Sequence, residues 1–243
     1  VPTALDELTS EIVSCRACPR LVEWRETVGR TKRAAFRDET YWARPVPGFG
    51  DPRAAILLLG LAPAAHGGNR TGRVFTGDRS GDWLFGALHR AGLANRPDSR
   101  RLGDGLTLSD AYVSAAVRCA PPDNRPTPDE RDRCLPYLAR ELALLDHVRV
   151  IVVLGGFAYT ALWPVLAGLG AQVPRPRPRF GHGLEVATSR ATILGCYHPS
   201  QQNTFTGRLT EPMLDAVLTR AKALAHPPIR PGRGSPRPRR RSR

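Results

Sequence analysis

The run AAILLLG, residues 54–60, decides the architecture. It is seven residues long, uninterrupted by polar side chains, and bounded by Pro52 and Pro63. An apolar run of that length without two-residue alternation suits a strand buried on both faces of a parallel sheet. VSAAV (113–117) and VIVVLG (150–155) repeat the pattern downstream. Helical stretches fall between and around these runs, over 80–91, 128–145 and 157–166. Strand, loop and helix in alternation predict an α/β sheet with helices on both faces. LEVAT (184–188) and the start of ATILGCYHPS (191–200) predict two late strands, and 210–225 a last amphipathic helix. Two short helices are expected at the start, over 3–14 and 19–27, and irregular chain over 31–53.

The composition agrees with a globular protein: 243 residues, 41% hydrophobic and 24% charged. That excludes a collagen, a coiled coil or a wholly disordered chain. No apolar run approaches the roughly 18 residues needed to span a bilayer. The opening VPTALDELTSEIVSC has no basic segment followed by an apolar one, so a cytoplasmic protein is expected, nucleoid-associated if bacterial.

The formal charge is +14, from 36 Lys+Arg against 22 Asp+Glu, and only Lys32 and Lys222 are lysines. Seven of those arginines lie in the last fifteen residues. The Pro-, Gly-, Ser- and Arg-rich stretch 227–243 cannot bury apolar area and is expected to be a disordered tail. Both parts of the chain therefore predict a polyanionic partner. PRPRPRF (174–180) is a second basic segment, read as a stiff solvated connector.

Four of the five cysteines suggest a metal site. Cys15 and Cys18 form a CxxC, and Cys119 and Cys134 a distant second pair. Four thiolates suit zinc or an iron–sulfur cluster, and spacing alone decides neither. Arg16, Arg20, Arg118 and Arg133 crowd the thiols and would offset a negative cluster. Cys196, in an apolar strand, reads as a buried spectator.

Two loops carry the chemistry. GLAPAAHGGNRTGRVFTGD (60–78) follows the first buried strand and is rich in small residues. Such a loop lets backbone approach a ligand at the C-terminal end of a sheet. It lacks the Gly-Lys-Ser/Thr of a phosphate-binding loop, and no dinucleotide fingerprint occurs elsewhere, so no nucleotide cofactor is expected. HPSQQN (198–203) follows a late strand and projects His198.

These two loops, RCAPPDNRPTPDE (118–130), TGRLT (206–210) and the four cysteines resemble a family 5 (type b) uracil-DNA glycosylase, of the iron–sulfur branch of that superfamily. The resemblance covers residues 5 to 225. It implies a three-layer α/β/α sandwich with a short, mostly parallel sheet, and a catalytic domain over 1–226. It implies a 4Fe–4S cluster on Cys15, Cys18, Cys119 and Cys134, with zinc as the alternative. The implied activity is hydrolysis of the N-glycosidic bond of uracil in DNA, extending to hypoxanthine and other damaged bases, by a monomer needing no membrane. The alternative is a non-catalytic nucleic-acid-binding protein with a four-Cys metal site.

Site roles follow from the same resemblance. An enzyme acting on a base must extrude it from the duplex. Phe75 would stack on that base, Asn124 would read its edge, and Gly60, Leu61 and Ala62 would line its pocket. His198 would donate to the base as negative charge develops. Type a relatives carry a Glu, and the best-known family an Asp, early in the first loop. Here that stretch is Ala62-Pro63-Ala64-Ala65, without an acid. Asp78 is the candidate for positioning water or stabilising the cationic sugar; capping the following helix is its other reading. His66, Asn69, Arg70, Gln201, Gln202 and Asn203 are candidate DNA contacts. The picture requires the two loops to leave neighbouring strands and to bring Phe75 and His198 together.

Overall fold

In the computed structural model, which describes residues 1–227, six strands form one sheet in the order β1-β3-β2-β4-β6-β5. The four inner strands, β3 (Ala111–Ala115), β2 (Ile56–Gly60), β4 (Val150–Leu154) and β6 (Thr192–Cys196), are parallel. Two short edge strands, β1 (Phe49–Gly50) and β5 (Glu185–Ala187), run antiparallel to their neighbours.

Alternation along β2 assigns the layers. Ile56 and Leu58 face one core with α4 (Arg79–Arg90) and α8 (Glu211–Ala225). Leu57 and Leu59 face the other, against α5 (Pro128–Leu144) and α6 (Gly156–Gly168), where Leu138, Leu142, Leu162 and Trp163 are buried. Successive strand side chains point to opposite faces, so a fully apolar strand must be covered twice. The result is a three-layer α/β/α sandwich. At the start of the chain stand α1 (Ala4–Ser14) and α2 (Pro19–Thr31), and α1 packs on α5.

Several expectations shift. The strand expected at 113–117 lies two residues earlier, over 111–115: Ala111 pairs with Ile56 at its start, and beyond its end the N–H groups of Ala116 and Val117 donate to the carbonyls of Gly60 and Leu61. The stretch 31–53 contains β1, too short to show periodicity. Two further short helices, α3 (Gly68–Thr71) and α7 (Gln201–Phe205), lie inside the two chemical loops. Those loops do not leave neighbouring strands: β4 lies between β2 and β6. Pro136 and Pro164 sit within α5 and α6 without ending them. The expected basic tail lies outside the described residues, apart from its first residue Pro227.

Candidate active site

The four parallel strands end together, so the segments after β2, β3, β4 and β6 share one edge of the sheet. Chain reversal at β2, from which strands run outward to either side, opens a crevice there, the usual binding place of open α/β sheets.

Phe75 and His198 meet in it. Their ring centroids are 5.7 Å apart with planes inclined by 33°. Phe75 adopts φ of +52°, an outlying conformation for a bulky side chain that persists only where its surroundings impose it. Its ring lies directly over Gly60: a Cβ there would come within 2.7 Å of Cε2 and Cζ. The glycine at the end of β2 is thus the seat of the aromatic ring.

His198 follows β6, and Asn203 in α7 donates from Nδ2 to the His198 carbonyl at 2.8 Å. Burial pushes the imidazole down to about 4, so it is neutral at physiological pH. Leu61, Phe157, Tyr197, His198 and Asn203 line one hollow of about 240 Å³. An adjoining larger groove, about 1020 Å³, is lined by His66, Asp78, Asn124 and Gln201 together with Arg33, Arg79, Arg100 and Arg101. Asn124, in the short turn Pro122–Asn124, is exposed on that groove.

Of the two sequence readings of Asp78, the helix cap is seen directly, and it uses one oxygen. Oδ1 accepts from the Gly81 N–H at 3.0 Å, capping α4. Oδ2 faces Gly67, where a Cβ would stand 2.0 Å from it. Burial raises the carboxyl's pKa, opposed by the N–H groups of Gly81 and Ser80. The loop around it is held by buried charges. Arg70 donates to the carbonyls of His66 and Gly77 and pairs with Glu39. Arg73 pairs with Asp104 at 2.6 Å. Although burial opposes its charge, Asp104 is held far below the usual carboxylate range by Arg73 and the N–H groups of Arg100, Leu106 and Arg101.

Other candidates divide. His66 accepts or donates at Nδ1 with the Tyr41 hydroxyl, 3.0 Å away, and its pKa is lowered by burial and by Arg33 and Arg70. Gln201 and Gln202 are exposed on α7. Asn69 does not reach a surface: it is 0% exposed and donates to the Arg25 carbonyl, tying α3 to α2. A DNA contact is thereby withdrawn for it, since its amide is spent inside the protein. Ala62 packs against Leu21, Val117 and Cys119, on the cysteine side of its loop.

Cys15, Cys18, Cys119 and Cys134 line one enclosed hollow with Leu21, Val117 and Tyr137. Among the described residues no three His, Cys, Asp or Glu side chains gather closely enough for one metal ion. The four cysteines share that hollow from four separate segments of the chain. Burial pushes Cys119 up to about 11 and Cys134 to about 12, so both keep their protons unless a metal displaces them. The arginines beside them are mostly engaged elsewhere. Arg16 pairs with Glu26, Arg20 with Glu130, and the Arg118 guanidinium with Glu141. Two cations do face thiols: Arg25, whose Nη1 donates to Cys119 Sγ at 3.0 Å, and Arg133, which opposes the effect of burial on the Cys18 thiol. Arg25 is buried, and its Nε has no partner. Nothing local in the sequence marks it, because 94 residues separate it from Cys119. Cys196 is buried in the main core, as expected.

The family description "Uracil DNA glycosylase superfamily" matches residues 47–222. The chain belongs to that superfamily. It is 58% identical over 221 residues to a type-5 uracil-DNA glycosylase of Mycobacterium tuberculosis, covering 90% of this chain and 81% of that one. It is 54% identical over 214 residues to a type-5 uracil-DNA glycosylase of Thermus thermophilus, covering 88% and 95%. A type-4 uracil-DNA glycosylase of Archaeoglobus fulgidus is 28% identical over 199 residues, covering 81% and 82%. In this superfamily member, no helix among the described residues is long and apolar enough to cross a membrane.

Proposed function

We propose that this chain hydrolyses the N-glycosidic bond of uracil in DNA and leaves an abasic site, as a DNA-repair glycosylase. The carrying observation is the approach of Phe75 and His198 at the sheet edge, 5.7 Å between centroids; Asp78 lines the larger groove. Phe75 offers a face on which an extruded base stacks, worth roughly 1–3 kcal/mol. Heterolysis sends the bond's electron pair to the base and leaves cationic character on the sugar. Neutral His198 donates an N–H to the oxygen on which that charge develops, an interaction stronger in the transition state than before it. Asp78 Oδ2, free of the cap, orients water toward the sugar carbon. The water oxygen forms the new bond and releases its proton to the carboxylate or to solvent. Asn124 reads the base edge once the groove closes on DNA. With no acid at 62–65, we extend the substrate range to hypoxanthine.

The donor set fits a 4Fe–4S cluster on Cys15, Cys18, Cys119 and Cys134. Four cysteines lining one hollow supply the all-thiolate donor set such a cluster takes, and the buried Arg25 cation calls for negative charge opposite it. Its role would be to hold α1, α2, α5 and the 116–120 segment together. Equal iron and acid-labile sulfide in the purified protein supports the cluster; zinc without iron refutes it.

The decisive assay is base release from oligonucleotides carrying uracil or hypoxanthine, with His198→Ala alongside. Uracil release lost in the variant supports the reading. Tight binding of uracil-DNA by wild-type protein without base release refutes catalysis and favours a binding protein.

A further inference from the structure

The segment 174–180 leaves α6 and returns toward β5, and it forms part of the wall beside His198. Phe180 lines the same hollow as His198 and Arg208. Its ring stands 5.5 Å from Tyr159 and 6.3 Å from Tyr197, between centroids. The Tyr159 hydroxyl donates to the Pro178 carbonyl at 2.6 Å. Just beyond, the Gly183 N–H donates to Gly195 and the Gly195 N–H to Leu184. The segment is therefore stitched to α6 on one side and to β6 on the other.

Three arginines, Arg175, Arg177 and Arg179, stand exposed on it, separated by prolines that fix the backbone at every second position. Some exposed arginines elsewhere, Arg53 and Arg101 among them, form no ion pair among the described residues, whereas Arg16, Arg90, Arg140 and Arg220 find carboxylates. What sets Arg175, Arg177 and Arg179 apart is that three such charges share one short proline-braced run. Among the described residues, these three pair with none. Unpaired like charges held side by side repel one another unless an anion comes to them. On a preorganised backbone, little conformational freedom is left to lose when it does.

We propose that Arg175, Arg177 and Arg179 bind consecutive backbone phosphates of the DNA strand as it passes the rim of the His198 hollow. This rests on the glycosylase reading for the identity of the polyanion. Four residues separate Arg175 from Arg179, a reach of at most about 14 Å, shortened here by the bend at Arg175 and Pro176. One DNA strand presents a charge about every 3.4 Å of axis, so three neighbouring phosphates fall within that reach. The groove on the other side of the site carries Arg79 and Arg101, neither paired with a carboxylate among the described residues. A strand whose nucleotide enters between the two sides thus meets cations before and after the extruded base. Contacts of this kind set register and affinity without reading sequence.

The test is the salt dependence of binding to undamaged duplex DNA, using the full chain in every case. Each phosphate contact contributes about 0.9 to the slope of log K against log salt. Arg175→Gln/Arg177→Gln/Arg179→Gln should flatten the slope by about 2 to 3. Arg53→Gln/Arg149→Gln removes exposed charge at the opposite end of the strands, before β2 and β4, and should change it by less than about 0.3 per arginine. Thermal melting of both variants verifies that they fold. An unchanged slope in the triple variant overturns the proposal, as does an equal change per charge in the remote one. Uracil release by wild-type protein is scored separately. Its failure would refute the glycosylase reading while leaving the phosphate site to stand on the slope.

Discussion

Replacing Asp78 by asparagine separates its helix cap from the catalytic role proposed for it. Oδ1 caps α4 through the Gly81 N–H, while Oδ2 faces the groove at Gly67. Asparagine caps a helix as well as aspartate, whereas alanine costs about 0.5–2 kcal/mol. Asp78→Ala should therefore lower the melting temperature by about 1–8 °C, taking about 2–4 °C per kcal/mol for a chain of this size. Asp78→Asn should lower it by less than about 2 °C, or raise it. Burial lifts the Asp78 pKa above its unfolded value. The native state thus holds that proton more tightly, and the stability this contributes is complete at low pH and lost as pH rises through the folded pKa. Asparagine, which cannot ionise, escapes the loss. Activity runs the other way, since water is oriented by the carboxylate and the rate rises with pH through the same titration. Losing a group that orients and deprotonates water costs about 10²–10⁴ in rate, or about 3–5 kcal/mol. Both variants should lose that much in single-turnover uracil release, and Asp78→Asn should lose its share of the acid-side dependence. An Asn variant within fivefold of wild type would refute the role given to Oδ2. An Asn variant melting as low as the Ala variant would refute the assignment of Oδ1 to the cap.

Two further perturbations probe the supports of the site. Gly60→Ala places a methyl 2.7 Å from two ring carbons of Phe75; the ring must leave its seat, costing about 1–3 kcal/mol of stability and a measurable part of the uracil-release rate. Glu141→Gln leaves the Arg118 guanidinium, 2% exposed, without its charge partner, which should cost about 3–5 kcal/mol in a denaturant midpoint series.

The sheet was legible because burial on both faces leaves a plain signature. AAILLLG and VIVVLG are strands within two residues of their expected limits, and the six long helices begin within one residue of theirs. β1 was not legible, since two residues carry no period. The order of strands was misread at the site because sequence adjacency of motifs says nothing of β4 passing between β2 and β6. Phe75, His198 and Asp78 stood out through their motifs, and the structure brings them to one edge. Asn69 shared a motif with them yet points into the protein, because α3 is a single turn whose inner side faces α2. Arg25, Tyr41 and Arg73 act through partners far along the chain or ordered only by tertiary packing, and no local pattern announces such pairings.

The charge of this chain is divided by what lies next to it rather than by where it occurs in sequence. Around the first loop the arginines are consumed: Arg70 and Arg73 are buried and bonded to carboxylates and carbonyls, fixing the segment that presents Phe75 and Asp78. A buried, partnered guanidinium adds rigidity but little external field. Around the rim the arginines of 174–180 are exposed and unpaired among the described residues, so their field reaches outward and salt attenuates it over about 10 Å at 0.1 M. Salt should accordingly weaken encounter and affinity while leaving the chemical step little changed, because the groups proposed to act on the nucleotide are a neutral imidazole, an aromatic face and a carboxyl held in a helix cap. A single-turnover rate that fell with salt as steeply as affinity does would mean that the rim, and not the hollow, governs the bond-breaking step.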